Sequence, residues 1–481
     1  MEKRTKIVCT LGPASETMET IETMVDSGMN VARLNFSHGT HENHRELIAR
    51  VKNIRKKTGH PITILQDLQG PKIRVGELSK DGVLVQKDDV VILNTNIDQK
   101  ENNDIPIDYE DFHTIVKSGE RVFIADGAIE LVITGVTGTK IETKVVFGGE
   151  IHAHKGINIP DSNVQARALT EKDKKDAYFG IQEGVDMMAL SFVTTPQDIE
   201  DLRVYITKSE KELGITRECP IQIIAKIERK EAVEDIDNIL DVADGIMVAR
   251  GDLGVEVPVE DVPVIQKRLI SAALLKAKPV IVATQMLDSM QEHQRPTRAE
   301  VSDVANAVID HADALMLSNE TATGKYPIEV VKTMADIIKE TEDSEYDNLS
   351  LYKTTKDEDL DNIESIMTKL SRISAEEMKA KVILTASLSG KTGRRISRYR
   401  PELPIVVATG SKEVSQQLNL SWGIVPFVAL PCDSLGELID QSIIYLKKNG
   451  LVKKKDTIVV IAGEPVGESN HINTLEVREV E

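Results

Sequence analysis

Cysteine is nearly absent from this chain: Cys9, Cys219 and Cys432 are the only three. They allow no even pairing and show no metal-ligand spacing, which argues against a disulfide framework or a structural zinc site and fits a reducing cytosol. Aromatic residues are 3% of the total, which speaks against a base-stacking surface. No apolar run approaches membrane-spanning length, and no apolar signal region precedes Ile7-Val8-Cys9. Gly-x-Gly-x-x-Gly and His-Glu-x-x-His are both missing, so neither a dinucleotide turn nor a helical zinc site is expected. Positive charge is in deficit. The net charge of −19 argues against nonspecific binding to nucleic acid or an anionic membrane. An acidic chain that handles an anionic substrate must use local cations: Arg, Lys or a metal.

What is present is a repeat. At 481 residues the chain is too long for one core, and two to four domains are expected. Short apolar runs at 6–11, 31–37, 62–68, 186–192, 221–228, 245–250, 279–285 and 314–320 read as strands. Charged amphipathic segments at 16–26, 42–57, 171–183, 197–213 and 262–277 read as helices. Strand then helix, eight times, is the pattern of a closed (β/α)8 TIM barrel. A doubly wound open sheet is the alternative. The third and fourth strands are too far apart for one helix. Between them lie short β-rich runs with Gly turns, which read as an inserted small β-barrel lid domain beside the carboxyl ends of the barrel strands. An acidic stretch from Glu342 reads as a short linker, with the start of a helix as the alternative. Beyond it strands and helices alternate again as a C-terminal α/β domain. The expected boundaries are 1–72 and 162–345 for the barrel, 73–161 for the lid and 346–481 for the third domain.

The run Ile221-Gln222-Ile223-Ile224-Ala225-Lys226-Ile227-Glu228 is a buried strand ending in two charges on one face. A buried strand does not end so unless something uses the charges. A structural ion pair is the bland reading. Position in the barrel favours the other, because polar residues end most of its strands: Arg33, Asn35 and Ser37 on the second, Asp67 on the third, Ser191 on the fourth, Gly251-Asp252 after the sixth, Thr284 on the seventh. Glu228 and Asp252 form a carboxylate pair fit to share Mg²⁺. Arg33 and Arg74 offer forks for phosphate oxygens. Gly251 lets backbone approach a ligand. Lys226 can stabilise an oxyanion or a transferring phosphoryl group. The pattern points to metal-assisted phosphoryl transfer or enolate chemistry.

These residues lie in Ile-Ile-Ala-Lys-Ile-Glu-Arg (223–229), Met-Val-Ala-Arg-Gly-Asp-Leu-Gly (247–254), Ala-Thr-Gln-Met-Leu (283–287), Arg-Pro-Thr-Arg-Ala-Glu (295–300) and Asn-Val-Ala-Arg-Leu-Asn-Phe-Ser-His-Gly (30–39). With those motifs the chain resembles the pyruvate kinase family from end to end. The resemblance implies phosphoryl transfer from phosphoenolpyruvate to ADP, giving pyruvate and ATP, the last step of glycolysis. It implies Mg²⁺, with Mn²⁺ as a substitute, on Glu228 and Asp252. Lys226, Arg33 and Thr284 are then catalytic. Arg33, Gly251, Asp252, Thr284 and Ser191 bind substrate, and Asn35, His38 and Arg74 face the nucleotide. A cytoplasmic homotetramer is implied as well. A binding protein that kept the fold would be expected to have lost one of Lys226, Glu228, Asp252, Arg33 or Thr284, and none is lost. A different barrel enzyme acting on phosphoenolpyruvate or an oxoacid is the third reading, and the lid and third domain argue against it.

Many family members carry Asp-Thr-Lys-Gly-Pro-Glu after strand three and require K⁺. This chain has Asp67-Leu68-Gln69-Gly70-Pro71-Lys72 and resembles the K⁺-independent branch. Lys72 would supply the charge of K⁺, so K⁺ is expected not to be required. Asn35, Ser37, Asp67 and the Leu68 carbonyl still form a monovalent-cation set. A mere surface charge at the lid hinge is the bland alternative. In the third domain, Ser387, Ser389, Lys391 and Thr392 follow a strand and open a helix, a phosphate cradle for an allosteric effector. A nucleotide P-loop is rejected because Thr385 stands in place of its first glycine. The 463–468 loop lacks the arginine of bisphosphate-binding relatives, which favours a sugar monophosphate or AMP. The alternative is that Lys391, Arg394, Arg395, Arg398 and Arg400 are only a solvated helix face.

Overall fold

The computed structural model describes residues 3–96, 104–125, 127–161, 167–351, 362–463 and 472–481. Eight parallel strands close into a barrel: Lys6–Thr10, Val31–Asn35, Thr63–Asp67, Met187–Leu190, Gln222–Ile227, Gly245–Ala249, Val280–Ala283 and Ala314–Leu317. Their apolar runs are nearly continuous because both faces are buried. One face fills the interior with Val8, Val31, Leu65, Met187, Ile224, Met247, Ile281 and Met316. The other packs on the surrounding helices through Ile7, Cys9, Leu34, Ile64 and Val248. Threonines start several barrel helices: Thr40, Thr170 and Thr297 cap with Asn43, Asp173 and Glu300 in reciprocal hydrogen bonds.

Between the third and fourth barrel strands lies a seven-stranded sheet with its own core of Leu93, Phe112, Val122, Ile124, Leu131 and Ile141. Its long hairpin, Ile129–Thr137 with Lys140–Phe147, alternates buried and open positions, as a strand with one wet face must. The edge strands Ile73–Arg74 and Ile105–Pro106 went unread in the sequence, being two residues long. They close the sheet: Gly76 donates to the Pro106 carbonyl at 2.7 Å and Asp108 to the Arg74 carbonyl at 3.0 Å.

The C-terminal unit is a five-stranded sheet in the order Ile424–Val428, Ile405–Thr409, Val382–Ala386, Thr457–Ala462, Thr474–Glu479. The first four run parallel and the last antiparallel. It docks on the amino ends of the barrel strands, opposite the rim where the polar residues gather. Thr63 Oγ1 donates to the Gln416 carbonyl at 2.6 Å, Asn419 Nδ2 to the Asn30 carbonyl at 2.8 Å, and Gln417 Nε2 to the Pro220 carbonyl at 2.8 Å. Leu420 enters the barrel's interior cluster from below.

Two sequence readings change. Glu342 does not begin a solvated linker. It ends the helix Pro327–Glu342, is buried, and accepts from the Arg4 amide at 2.7 Å and the Thr5 amide at 2.6 Å. Acidic composition hid this because its partners lie at the other end of the chain. Nor do Arg398 and Arg400 lie on a solvated face, since both are buried. Arg400 pairs with Asp313 at 2.8 Å and Arg398 donates to the Leu275 carbonyl at 3.2 Å, both across the junction with the barrel. Residues 352–361 of the acidic segment beyond Glu342 and residues 464–468 of the loop read above lie outside the described residues.

Asp313 also accepts from the Trp422 amide at 2.9 Å and the Val280 amide at 3.2 Å. Removing one partner of a buried ion pair strands the other, at about 3–5 kcal/mol. Asp313→Ala is therefore expected to lose about that much stability in urea unfolding followed by the fluorescence of Trp422, the single tryptophan. A loss near zero would mean that the junction does not depend on this pair.

Candidate active site

The carboxyl rim of the barrel gathers most of the residues singled out in the sequence. Lys226 Nζ, on the fifth strand, lies 2.9 Å from Glu228 Oε1, 3.3 Å from Asp67 Oδ1 and 2.7 Å from Ser191 Oγ. Ser191 Oγ in turn donates to the Leu68 carbonyl at 2.7 Å. Arg33 Nε donates to Asp67 Oδ2 at 2.7 Å, and its Nη1 to Thr10 Oγ1 at 2.8 Å. Glu228 Oε2 accepts from the Phe192 amide at 2.7 Å. Five strands thus tie their ends into one network of charges, almost fully buried.

Burial alone would raise the Asp67 carboxyl, but Lys226 and Arg33 hold it below the usual carboxylate range. Burial likewise pulls Lys226 down, but Asp67 and Glu228 overcome it and fix the ammonium. Glu228 goes the other way. Burial pushes it up and Asp252 adds to that, against the pull of Lys226. It is a carboxyl short of positive charge, facing a second carboxylate. Among the described residues no group of three or more His, Cys, Asp or Glu forms a ready metal cage. Glu228 and Asp252 are the two rim carboxylates that could hold a divalent cation, a hard ion that takes oxygen ligands.

Asp252 lies on the short helix Arg250–Glu256, and its Oδ1 is 3.4 Å from Lys72 Nζ. Lys72 thus brings its ammonium to Asp252. Three of the four oxygens of the monovalent-cation set have protein donors: Asp67 as above, the Leu68 carbonyl from Ser191, and Asn35 Oδ1 from the Ser37 amide at 3.1 Å. His38 is held below its ordinary value by burial and then by Arg74, Arg33 and Lys72, which places it in the field of these cations. Arg74 belongs to the inserted sheet, where its Nη1 donates to the His154 carbonyl at 2.9 Å.

The rim is also strained. Phe192, Thr284 and Gln285 have φ of 57°, 70° and 53°, just past the ends of the fourth and seventh strands. For a β-branched threonine that conformation costs of order 1–3 kcal/mol and persists only when its surroundings enforce it. Here Gly251 N donates to Thr284 Oγ1 at 2.9 Å and Arg250 Nη2 to the Thr284 carbonyl at 2.8 Å. Gly70 is forced as well: its φ is 69°, and a Cβ there would lie 2.8 Å from the Phe192 ring.

Two family models match the chain: "Pyruvate kinase, barrel domain" over residues 2–331 and "Pyruvate kinase, alpha/beta domain" over residues 365–478. The pyruvate kinase of Clostridium acetobutylicum is 40% identical across 100% of both chains. Those of Geobacillus stearothermophilus and Thermococcus litoralis are each 41% identical over 99% of this chain, which spans 80% and 98% of their lengths. The chain belongs to the pyruvate kinase family. It is an enzyme, a phosphotransferase. Among the described residues no helix is long and apolar enough to cross a membrane.

In this pyruvate kinase family member, sequence reasoning passed over Thr10 and Arg250. Thr10 ends the first barrel strand, so strand-end logic alone would have found it. Arg250 stands inside a quoted motif but had no part assigned. Its guanidinium fixes the Thr284 backbone and pairs with Asp303 at 2.8 Å. The candidate effector residues Ser387, Ser389, Lys391 and Thr392 lie elsewhere, past the carboxyl end of the strand Val382–Ala386.

Glu256, at the end of the Asp252 helix, faces Asn158 of the inserted sheet and Arg229, which lies 3.3 Å away. Burial pushes its carboxyl up to about 7, opposed by Arg229 and assisted by Glu231 and Asp252. The folded value lies above the unfolded one of about 4.3. Its stabilising contribution is therefore complete below that pH and is lost as pH rises through about 7. Glu256→Gln is expected to flatten the fall in thermal midpoint between pH 5 and 8, removing a slope of up to about one proton. An unchanged pH profile would count against a buried, proton-holding Glu256.

Proposed function

We propose that the chain transfers the phosphoryl group of phosphoenolpyruvate to ADP, giving pyruvate and ATP. The observation that carries this reading is Lys226, an ammonium fixed between Asp67, Glu228 and Ser191 at the mouth of the barrel. It stands where a phosphoryl oxygen and a developing enolate would both need positive charge. Arg33, oriented by Asp67 and Thr10, binds the phosphoryl oxygens with the rest of its fork. The Gly251–Thr284 corner, with Ser191, Asp252 and Arg33, seats the substrate, the corner taking its carboxylate. Glu228 and Asp252 would hold Mg²⁺ or Mn²⁺, which neutralises charge between phosphoryl and enolate oxygens when bound. Asn35, His38 and Arg74 face the nucleotide. The bond between phosphorus and the enol oxygen breaks as one to the terminal oxygen of ADP forms, and the enolate takes a proton on the Thr284 side. Positioning and charge account for most of the rate. The inserted unit, 73–161, acts as the lid between barrel parts 1–72 and 162–345, with 346–481 as the regulatory domain.

Ser389 and Lys391 are exposed beside Ser387 and Thr392, as a site for a phosphorylated effector requires, and Arg398 and Arg400 are too buried to join them. A homotetramer is proposed for the chain, and the exposed Ile363, Ile366 and Leu370 along one helix face offer an apolar surface for subunit contact. The charge and composition support a cytoplasmic enzyme.

Replacing Lys226 by Met is expected to lower kcat at least about 10²-fold in a lactate dehydrogenase-coupled assay, as for loss of a transition-state charge stabiliser. Near-normal turnover would refute its role, and no pyruvate from the unaltered enzyme would overturn the reaction itself. Lys72 brings an ammonium to Asp252 without any ion. Full activity is therefore expected in K⁺-free tetramethylammonium buffer, with Lys72→Glu creating a requirement for K⁺. Strong K⁺ activation of the unaltered enzyme would sink this part of the reading.

A further inference from the structure

Asn35 ends the second barrel strand, and a short loop through His38 joins it to the helix His41–Thr58. Within the loop the Ser37 amide donates to Asn35 Oδ1 at 3.1 Å and the His38 amide to the Asn35 carbonyl at 3.2 Å. Its other supports come from outside. The Phe36 amide donates to the Asp67 carbonyl at 2.9 Å, and the Phe36 carbonyl accepts from Lys172 Nζ at 2.7 Å. The His38 carbonyl faces His44 Nε2 at 2.9 Å. His44 also stacks its ring on that of Phe36, with centroids 4.0 Å apart and planes 14° from parallel. One buried side chain in the first turn of the helix therefore grips the loop at two points.

The tautomer follows from the partner. A carbonyl only accepts, so Nε2 carries the proton and donates. Nδ1 is then a bare acceptor, buried and without a partner among the described residues. Protonating it would bury a charge and a donor with nothing to receive them. Burial accordingly holds the ring below its ordinary value, assisted by His41 and Lys172 and opposed by the His38 carbonyl and Asp176. Gly39 has φ of 76°, and a Cβ there would lie 3.4 Å from His44 Nε2, so the backbone is drawn close against the ring. We propose, on the reading that Asn35 and His38 face the nucleotide, that His44 is a positioning residue: its neutral ring fixes the 36–38 loop and so aims both side chains at ADP. It acts through the loop and not on the reacting atoms.

Two variants of the full chain separate the hydrogen bond from the packing. His44→Phe keeps a ring on Phe36 and removes the N–H. In the coupled assay its KM for ADP is expected to rise about 3–10-fold, the range for one lost hydrogen bond, while KM for phosphoenolpyruvate stays within about twofold. His44→Gln, whose Nε2 reaches the same place, should bring KM for ADP back to within about twofold of the unaltered enzyme. An unmoved KM for ADP would overturn the proposal. So would equal rises in both KM values, or a rise that Gln does not reverse, since each marks a structural role alone. If His44→Phe does not fold, His44→Met takes its place with the same expectation. Calorimetric titration of the unaltered enzyme with ADP and Mg²⁺ keeps the two readings apart. Saturable binding is expected, and its absence would remove the nucleotide reading and this role with it, whereas normal binding with no effect at His44 would remove this role only.

Discussion

One buried carboxylate, Asp67, is shared by two cations, and the rest of the rim is arranged around that constraint. Arg33 takes one oxygen and Lys226 approaches the other. Neither cation can move without stranding charge in a medium of low polarity. Arg33 is thereby aimed by its own strand and by Thr10 on the neighbouring one. Lys226 is left in contact with Glu228, which is left without enough positive charge. Two cations face two carboxylates in this inner set, so it is neutral as it stands. Its internal imbalance, a secure Asp67 beside a needy Glu228, is what gives a divalent cation a place to go.

Much of this was legible in the sequence, because strand ends in a barrel are positions with a meaning. Lys226 and Glu228 two residues apart, and Asp67 at the end of its own run, were visible without coordinates. What could not be read was pairing across sequence distance. Lys72 stands out in the sequence, but its pairing with Asp252, brought near by the helix that follows the sixth strand, does not. Arg398 and Arg400 look like a solvated basic face until Asp313 and the Leu275 carbonyl appear opposite them. Glu342 looks like a linker until Arg4 does the same. The strands Ile73–Arg74 and Ile105–Pro106 carry too few residues for any periodicity, although they close the inserted sheet.

The two ends of the barrel are built on different principles. The carboxyl rim holds charge, strained backbone and the inserted unit, whose strand Gly156–Asn158 brings Asn158 to Glu256. The amino end is covered by hydrogen bonds between side chains and carbonyls across the junction, by the buried Arg400–Asp313 pair and by Leu420. Strands of four to six residues separate the two ends. Stiffness at one end is therefore available at the other through very little intervening structure.

Leu420 lies within the barrel's interior layer, beside residues such as Val8 and Val31 from the beginning of the chain. On the ribosome the amino-terminal strands are made first, and the side chain that completes their floor among the last. Until it arrives, the floor of the barrel exposes apolar surface, in a topology already dominated by long-range contacts. The nascent barrel is thus a species that chaperones are suited to hold, and sealing it is one of the late events in the birth of the molecule.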